Sequence, residues 1–174
     1  MQSKNPNSSS NIYAVDKLIS EARRIAADYR RATGKSLAIS GEIATHDACT
    51  LLGLEAVEGQ GGFDAIGRGD RDGQRIQIKG RAIFDEAKKG QRIGQIKLEQ
   101  AWDSIVLVLM DDNFESDSIY EASREEILAA LDESASSNRT KRGAMSVARF
   151  KNIAHLVWNR DEGEIRNELW DNQS

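Results

Sequence analysis

The chain has 174 residues, a length typical of one domain that buries a substantial core. Its charged fraction of 30% and hydrophobic fraction of 39% are typical of a soluble globular protein, and no apolar run reaches the roughly 18 residues that a membrane span needs. The net charge of -4 excludes a general electrostatic attraction to nucleic acid, so any such binding requires a local basic patch.

The ends of the chain are polar. Residues 1–11 lack the apolar segment of a secretory signal, and we expect them to form a disordered tail. The single cysteine, Cys49, has no partner for an internal disulfide, which favours the reducing cytoplasm. We therefore expect one cytoplasmic domain over residues 12–160, with no membrane association, followed by an acidic tail at residues 161–174.

Two helices are predicted first. Apolar residues recur at helical spacing over residues 12–33, and Gly34 ends that run. A second helix is predicted over residues 41–52, with Ser40 as its N-cap and Gly53 as its C-terminal stop.

A hairpin and a buried strand are predicted next. The strands of the hairpin cover residues 63–68 and 75–83, and residues 69–73 have the composition of the turn between them. Residues 84–95 are polar and contain glycine, which is typical of a loop. The continuous apolar run at 104–110 is typical of a central strand that is covered on both faces.

The last third of the chain is predicted to hold a short edge strand at 118–121 and two helices. Ser123 and Glu126 form a capping box ahead of the first helix. Ser146 is expected to cap the second helix, whose apolar residues continue to Trp158. The order of these elements predicts an α/β fold with a mixed central sheet flanked by helices.

Three residues with useful chemistry lie on the two hairpin strands. Asp64 is in the first strand, and Gln77 and Lys79 are in the second. Because strand side chains alternate with period two, Gln77 and Lys79 point to the same face, and pairing of the strands brings Asp64 near them. A carboxylate, an amide oxygen and a lysine at one place can hold a divalent cation and a water beside a phosphate.

These residues resemble the motif of the PD-(D/E)xK, or restriction-endonuclease-like, nuclease superfamily. Its core has a helix with a Glu, a strand with an Asp, a hairpin, a strand with D/E/Q-x-K, then a helix and a strand. The matching positions within residues 38–112 are Glu42, Asp64, Gln77 and Lys79. The Gln-x-Lys form is similar to that of the Mrr-like branch, although phenylalanine stands where the motif has proline. The stretches 41–44 and 139–146 are also similar to sequences of a group of small, functionally uncharacterised bacterial proteins.

The resemblance implies a restriction-endonuclease-like core that hydrolyses DNA phosphodiester bonds with Mg²⁺ or Mn²⁺ as cofactor. In that arrangement Asp64 is the main metal ligand, and Glu42, the Gln77 amide and the Ile78 backbone carbonyl complete the ligand set. Lys79 orients the attacking water and offsets charge on the phosphate. Because Gln77 replaces the usual acid, the site has less negative charge to offer a metal.

Basic residues that are candidates for contact with DNA phosphates occur on the strand of Lys79 and in the last third of the chain. They are Arg81, Arg139, Lys141, Arg142, Arg149 and Lys151. Each is also explained as a solubilising surface charge, just as Gln77 and Lys79 fit the solvated face of an edge strand and Glu42 fits a first-turn acid favoured by the helix dipole.

Two functions therefore stay open. One is a metal-dependent deoxyribonuclease, which acts on DNA as its partner. The other is a non-catalytic module of the same fold that binds DNA or a protein. A homodimer is compatible with either function.

Overall fold

The structure is a computed structural model that describes residues 8–58, 61–85, 87, 90–133 and 143–166. Within these residues the protein has a mixed α/β fold with four α-helices around a seven-stranded sheet, which confirms the predicted class. The helices are α1, Ser8–Thr33; α2, Ser40–Leu52; α3, Arg124–Glu133; and α4, Val147–Ile153. No helix in this part of the chain is long and apolar enough to cross a membrane.

The large sheet mixes parallel and antiparallel neighbours. In spatial order its strands are β1, Glu55–Ala56; β2, Ala65–Ile66; β3, Arg75–Ala82; β5, Ser104–Met110; β6, Ser116–Ser123; β8, His155–Asn159; and β9, Gly163–Glu164. Strands β3 and β5 run parallel, and the other described neighbours are antiparallel. The strands β4, Arg92–Gln95, and β7, Ala144–Ser146, pair with each other in a separate small sheet.

Strand β5 is buried along its whole length, as its apolar sequence predicts. Its alternating side chains serve two cores on opposite faces of the sheet. Val106 and Val108 belong to the core that contains residues of α1 and α2, whereas Ile105 and Leu107 belong to the core that contains residues of α3, α4, β4 and β7. The large sheet is therefore the middle of three layers.

Helix α2 lies directly against β3 at Gly80. A Cβ atom placed on Gly80 would lie 2.4 Å from the Cβ of Ala44 and 2.6 Å from the Ser40 carbonyl oxygen. Only glycine lets the two backbones approach so closely. The contact brings the first turn of α2, which contains Glu42, over the second half of β3.

A buried ion pair links α1 to α2. The Arg23 guanidinium bonds the Asp47 carboxylate of α2 and the Phe114 carbonyl oxygen, and the Ser116 hydroxyl also donates to Asp47. Ala26, three residues after Arg23, is fully buried in the adjoining core. The pairing satisfies a carboxylate that would otherwise be costly to bury.

Several local sequence signals are confirmed. Gly53 ends α2 in the left-handed conformation, with φ of 64°. Ser123 and Glu126 form the expected reciprocal capping box, with N–H to side-chain oxygen distances of 2.8 and 3.2 Å. The Ser146 hydroxyl accepts the Arg149 N–H at 3.1 Å, as a helix cap does. The predicted Ser40 cap is wrong, since Ile39 occupies the N-cap position and makes no side-chain hydrogen bond there.

Other boundaries differ from the sequence prediction. The helix after Ser146 ends at Ile153, and the predicted remainder up to Trp158 forms β8. The supposed edge strand at 118–121 is the eight-residue β6, which lies between β5 and β8. A short apolar run such as 155–159 is compatible with a helix or a strand, and here hydrogen bonding to β6 makes it a strand.

Further segments also differ from the sequence prediction. The predicted loop at 84–95 contains β4, which is paired with the distant β7. Helix α1 starts at Ser8, four residues before the predicted start, and β9 lies in the segment predicted as an acidic tail. The predicted hairpin is present, although its first strand is reduced to Ala65–Ile66.

Candidate active site

Asp64 lies where β2 separates from β3. Its backbone N–H donates to the Ile76 carbonyl oxygen at 2.8 Å, and its Oδ2 accepts the Ile78 N–H at 2.8 Å. The β2–β3 pairing ends at Ile76, so the Ile78 N–H has no backbone partner in β2, and the Asp64 carboxylate accepts it instead. This hydrogen bond holds Asp64 beside the backbone of the residue that separates Gln77 from Lys79.

Gln77 is buried in the middle of β3, with 3% of its surface exposed. Its side-chain amide donates to the Gly62 carbonyl oxygen at 2.9 Å. Its Oε1 atom is buried and has no hydrogen-bond partner among the described residues. Because a buried acceptor without a partner costs about 1–3 kcal/mol, this oxygen is suited to a water or a cation. The interpretation of Gln77 as a solvated edge residue is therefore wrong.

Lys79 is half-buried on the same side of β3. Its Nζ donates to the Gln95 carbonyl oxygen at the end of β4, at 3.0 Å. Burial lowers the pKa of Lys79, the Asp64 carboxylate opposes this change, and the nearby cations Arg81 and Lys97 add to it. The ammonium group therefore lies within electrostatic reach of both Asp64 and two other positive charges.

Glu42 is exposed in the first turn of α2. Cys49 is seven residues further along and so lies on the same side of the helix, about 10 Å away along its axis. Burial, with a contribution from the Asp64 carboxylate, raises the pKa of Cys49 to about 11. The Asp64 carboxylate is therefore within electrostatic reach of Cys49, whereas Glu42 lies in the first turn of α2, at the end of the helix that meets Gly80.

The structure brings Asp64, Gln77, Ile78 and Lys79 together on β3 and its edge. It does not group Glu42 with Gln77 and Lys79, because α2 packs on the face of β3 that carries Gly80 and these two side chains point to the opposite face, toward β4. Their roles in catalysis and metal binding stay predictions. Among the described residues there is no group of three or more His, Cys, Asp or Glu side chains that could hold a metal ion. A cation at this place therefore needs amide and backbone oxygens in addition to carboxylates.

Arg81 continues the same row of side chains but is engaged within the protein. Its guanidinium donates to the carbonyl oxygens of Arg92, at 2.6 Å, and of Gly80, at 2.5 Å. Burial lowers the pKa of Arg81. The bonds from Arg81 to Arg92 and from Lys79 to Gln95 hold β4 against β3, which is a structural role that the sequence did not indicate.

The other candidates for phosphate contact are separated from this row. Arg149 donates to the Ala130 carbonyl oxygen, and the Lys151 ammonium lies 5.4 Å from the centroid of the Tyr120 ring. The remaining three, Arg139, Lys141 and Arg142, lie outside the described residues.

Sequence reasoning missed Gln100, which lies beside Gly62. Its Oε1 atom is also buried and lacks a hydrogen-bond partner among the described residues. A Cβ atom added to Gly62 would lie 2.9 Å from that oxygen, while the Gly62 carbonyl accepts the Gln77 amide. Two unpaired amide oxygens thus flank one glycine. No local pattern could have shown this, because Gln100 is a turn residue far from β3 in sequence.

The turn that carries Gln100 is held by Arg124. The Arg124 guanidinium donates to the carbonyl oxygens of Leu98, Gln100 and Trp102 at 2.6–3.1 Å, and it lies 4.4 Å from the Trp102 ring centroid. A planar guanidinium that bonds three carbonyl groups and stacks on an indole is strongly oriented. The position of Gln100 is therefore fixed by the contacts of Arg124 with its turn.

A cavity of about 530 Å³ lies on a different part of the molecule, next to β6 and β8. Its residues Glu121 and Glu126 are engaged, the first by Arg71 at 2.8 Å and Ser104 at 3.0 Å, the second by His155 at 2.8 Å. None of the residues predicted to be catalytic lines this cavity. We therefore place the candidate active site at Asp64 and not in the cavity.

No protein-family model matches the chain, and no curated protein is significantly similar to it. The geometry at Asp64 and the motif that the sequence resembles are therefore the grounds on which a function is inferred.

Proposed function

We propose that the protein is a metal-dependent nuclease with a restriction-endonuclease-like core, which hydrolyses phosphodiester bonds in DNA. The observation that supports this best is the hydrogen bond from the Ile78 N–H to the Asp64 carboxylate, at 2.8 Å. It brings a carboxylate next to the Gln77–Lys79 backbone, which is the juxtaposition that a D/E/Q-x-K nuclease motif requires.

The arrangement of strands also supports the proposal. Helix α2 precedes three antiparallel strands, β1 to β3, and β5 then pairs with β3 in parallel. This is the order expected of the superfamily core except in one respect. Between β3 and β5 the described residues contain the strand β4 where that core has a helix.

The oxygen atoms at the site fit a hard divalent cation such as Mg²⁺ or Mn²⁺. The unpaired Oε1 of Gln77 favours this fit, because a neutral buried oxygen without a partner is available as a ligand. Asp64, Gln77 and the Ile78 carbonyl would hold the ion at the edge of β3, and Glu42, the further ligand that the motif implies, would act from α2 on the other face through a water. When bound, such an ion activates water and neutralises charge on a phosphate.

The chain's own cations would position the phosphate. Lys79 has Arg81 and Lys97 close enough to affect its pKa, so positive charge is concentrated along this side of β3. Such a local cluster attracts a phosphate even though the whole chain is acidic. Lys79, next to Asp64, is the group that would stabilise charge developing on the phosphate during in-line attack.

One observation favours the second candidate, a non-catalytic module of the same fold. Lys79 and Arg81 already donate to backbone carbonyl groups of β4. If these bonds persist when DNA is bound, both side chains have the structural role of joining β3 to β4 and do not take part in catalysis. The protein would then bind DNA or a protein partner without cutting.

The test is cleavage of single-stranded, double-stranded and branched DNA with Mg²⁺ or Mn²⁺, comparing wild type with Asp64→Asn. An asparagine side chain can still accept the Ile78 N–H, so the variant should keep the wild-type melting temperature while losing cleavage. Lys79→Met should lower the rate by about 10²–10³. Asp70→Asn, at an exposed acid in the turn before β3, is the matched control and should cut normally.

Wild-type protein that cuts none of these substrates would falsify the nuclease proposal. Binding of DNA without cutting, measured in the same samples, would then support the non-catalytic module.

A further inference from the structure

Two cations on the Lys79 side of β3 are held by neutral oxygen atoms. The Lys79 ammonium donates to the Gln95 carbonyl oxygen at 3.0 Å, and the Arg81 guanidinium donates to that of Arg92 at 2.6 Å. Among the described residues, no carboxylate lies within ion-pair distance of Lys79, Arg81 or Lys97. A carbonyl group fixes the position of a cation without cancelling its unit of charge, so these positive charges stay available to an anion.

Arginines elsewhere in the described chain are mostly neutralised by carboxylates. Arg71 pairs with Glu121 and Arg160 pairs with Asp111, each at 2.8 Å. Ion pairs also involve Arg23, Arg24, Arg31, Arg68, Arg75 and Arg166. The chain has 28 Asp and Glu residues against 24 Lys and Arg, so carboxylates are not scarce. The unpaired positive charge is therefore a local property of this side of β3.

Asp64 supplies negative charge at the same place. Burial of the ammonium lowers the pKa of Lys79, and the Asp64 carboxylate raises it. Arg81 and Lys97 lower this pKa further, since they repel another positive charge. Gln77, the other polar side chain of this row, is neutral. One of these four charged groups is a carboxylate and three are cations, so the site is positively charged before any ligand binds.

This distribution of charge is unfavourable for a divalent ion in the free protein. Affinity for a hard cation rises with the number of charged oxygen ligands, and at the edge of β3 the Asp64 carboxylate is charged whereas the Gln77 amide is neutral. Lys79 adds repulsion, because its ammonium is on the same face of β3 as Gln77. Glu42 belongs to α2, which packs on the opposite face, so its carboxylate offsets this repulsion only from a distance. A divalent ion by itself should therefore bind weakly.

A DNA phosphate has the opposite charge and reverses this balance. It is attracted to Lys79, Arg81 and Lys97 in the absence of any metal ion. Once it lies between these cations and Asp64, its oxygen atoms offer a divalent ion further charged ligands and reduce the repulsion from Lys79. The phosphate and the ion therefore each improve the site for the other, which is a positive coupling.

We propose that the DNA phosphate is needed to load the metal ion: the free protein binds DNA but takes up Mg²⁺ or Mn²⁺ only weakly, and the two ligands bind cooperatively. The inference rests on the proposed nuclease function and adds to it a control on when the site becomes competent. Protein without DNA would lack the ion that activates water, so cutting would require a phosphate to be in place first.

The first test measures Mn²⁺ binding from the electron paramagnetic resonance signal of the free ion, with protein alone, DNA alone and the mixture. Single-stranded and duplex oligonucleotides serve as the DNA. They should tighten the binding of Mn²⁺ to the protein by about tenfold or more, beyond what DNA alone binds. By reciprocity, Mn²⁺ should tighten DNA binding by the same factor relative to EDTA. Binding of Mn²⁺ to the free protein that is as tight as binding to the complex overturns the inference.

The second test removes positive charges. Lys79→Met should tighten Mn²⁺ binding by the free protein by about fivefold, and Lys97→Met, at an exposed lysine that the fold does not need, by about twofold. Both substitutions should weaken DNA binding in EDTA. Lys17→Met, at an exposed lysine of α1, is the matched control and should change neither affinity. Free variants at Lys79 and Lys97 that bind Mn²⁺ no more tightly than wild type contradict the inference.

The third test removes the negative charge. Asp64→Asn should bind DNA in EDTA about fivefold more tightly than wild type, because the carboxylate that repels a phosphate is gone. Mn²⁺ should no longer tighten DNA binding by this variant. Weaker DNA binding by Asp64→Asn in EDTA would show that the carboxylate does not oppose the phosphate, and the inference would fail.

The outcomes separate this inference from the proposed function. Cleavage of DNA by wild type without coupling between Mn²⁺ and DNA would overturn the inference alone. Coupled binding without cleavage would support the inference and overturn the nuclease function. A protein that neither binds nor cuts any of the oligonucleotides would overturn both.

Discussion

At the scale of single residues, the two ends of the Gln77 amide group have different surroundings. Its amide hydrogens secure Gly62 at 2.9 Å, and its oxygen stays buried without a partner in the described structure. An acid at this position would supply more charge to a cation but could not donate to the Gly62 carbonyl. Glutamine at this position therefore favours the fold, and in the proposed metal site it would bind a cation more weakly than an acid would.

This argument predicts opposite effects for Gln77→Glu with and without metal. Without a divalent ion the variant should be less stable by about 1–3 kcal/mol, because a carboxylate then faces the Gly62 carbonyl oxygen. Added Mg²⁺ or Mn²⁺ should raise its melting temperature by more than it raises that of wild type. Thermal unfolding with metal and with EDTA measures both effects.

Gln91→Glu is the control for this prediction, since the Gln91 side chain also donates to a backbone carbonyl, that of Ala82, at 3.1 Å. It should lose stability without gaining any response to metal. A Gln77→Glu variant whose response to metal equals that of wild type would remove Gln77 from the proposed ligand set.

At the scale of elements, the position of α2 on β3 determines whether Glu42 can serve the site. The two elements meet at Gly80, where a side chain would overlap Ala44 and the Ser40 carbonyl group. The closeness of this contact follows from the absence of a Cβ atom and not from any attractive pair. Because Glu42 is in the first turn of α2, this contact fixes its position relative to β3.

Gly80→Ala should therefore destabilise the protein by about 1–3 kcal/mol, the usual cost of overpacking. Gly41→Ala is the matched control, because an added Cβ there meets nothing within 4 Å and the residue is helical. That substitution should stabilise the protein by up to about 1 kcal/mol. Urea unfolding measures both changes, and a neutral Gly80→Ala would show that α2 has room to move.

At the scale of the whole molecule, α1 is coupled to the rest of the fold by the contact between Arg23 and Asp47. Both side chains are largely buried, with 12% and 8% exposure, and Phe114, in the turn after β5, and Ser116, at the start of β6, complete the network. A buried pair of this kind orients the helix, while the apolar contacts of Ala26 and Ala27 contribute burial.

Arg23→Met should lower stability by about 3–5 kcal/mol, because it leaves the Asp47 carboxylate buried without its cation. Arg23→Met/Asp47→Leu should recover most of that loss, since no charge then remains unpaired. Lys35→Met, at an exposed lysine just after α1, should change stability by no more than about 0.5 kcal/mol. Equilibrium unfolding in urea distinguishes these variants, and a single Arg23→Met that is neutral would show that the pair is not needed.

Local pattern was sufficient for much of the fold. The apolar run of β5, the helical period of α2 with Gly53 at its end, and the caps at Ser123 and Ser146 depend on residues that are adjacent or a few positions apart. For this reason they can be recognised without knowledge of the partner elements. The alternation at Gln77 and Lys79 likewise predicted that both side chains share one face of β3.

What the sequence could not supply depends on contacts between distant segments. The strands β4 and β8 exist because β7 and β6 pair with them, and local residues permit either a strand or another structure. The burial of Gln77, the approach of Gln100 to Gly62 and the engagement of Lys79 and Arg81 by β4 arise in the same way. The sequence determined which side chains are available at the site. Tertiary packing decided which of them are exposed to solvent, which are hydrogen-bonded and which keep a buried oxygen without a partner among the described residues. These properties depend on neighbours that come together only when the chain folds.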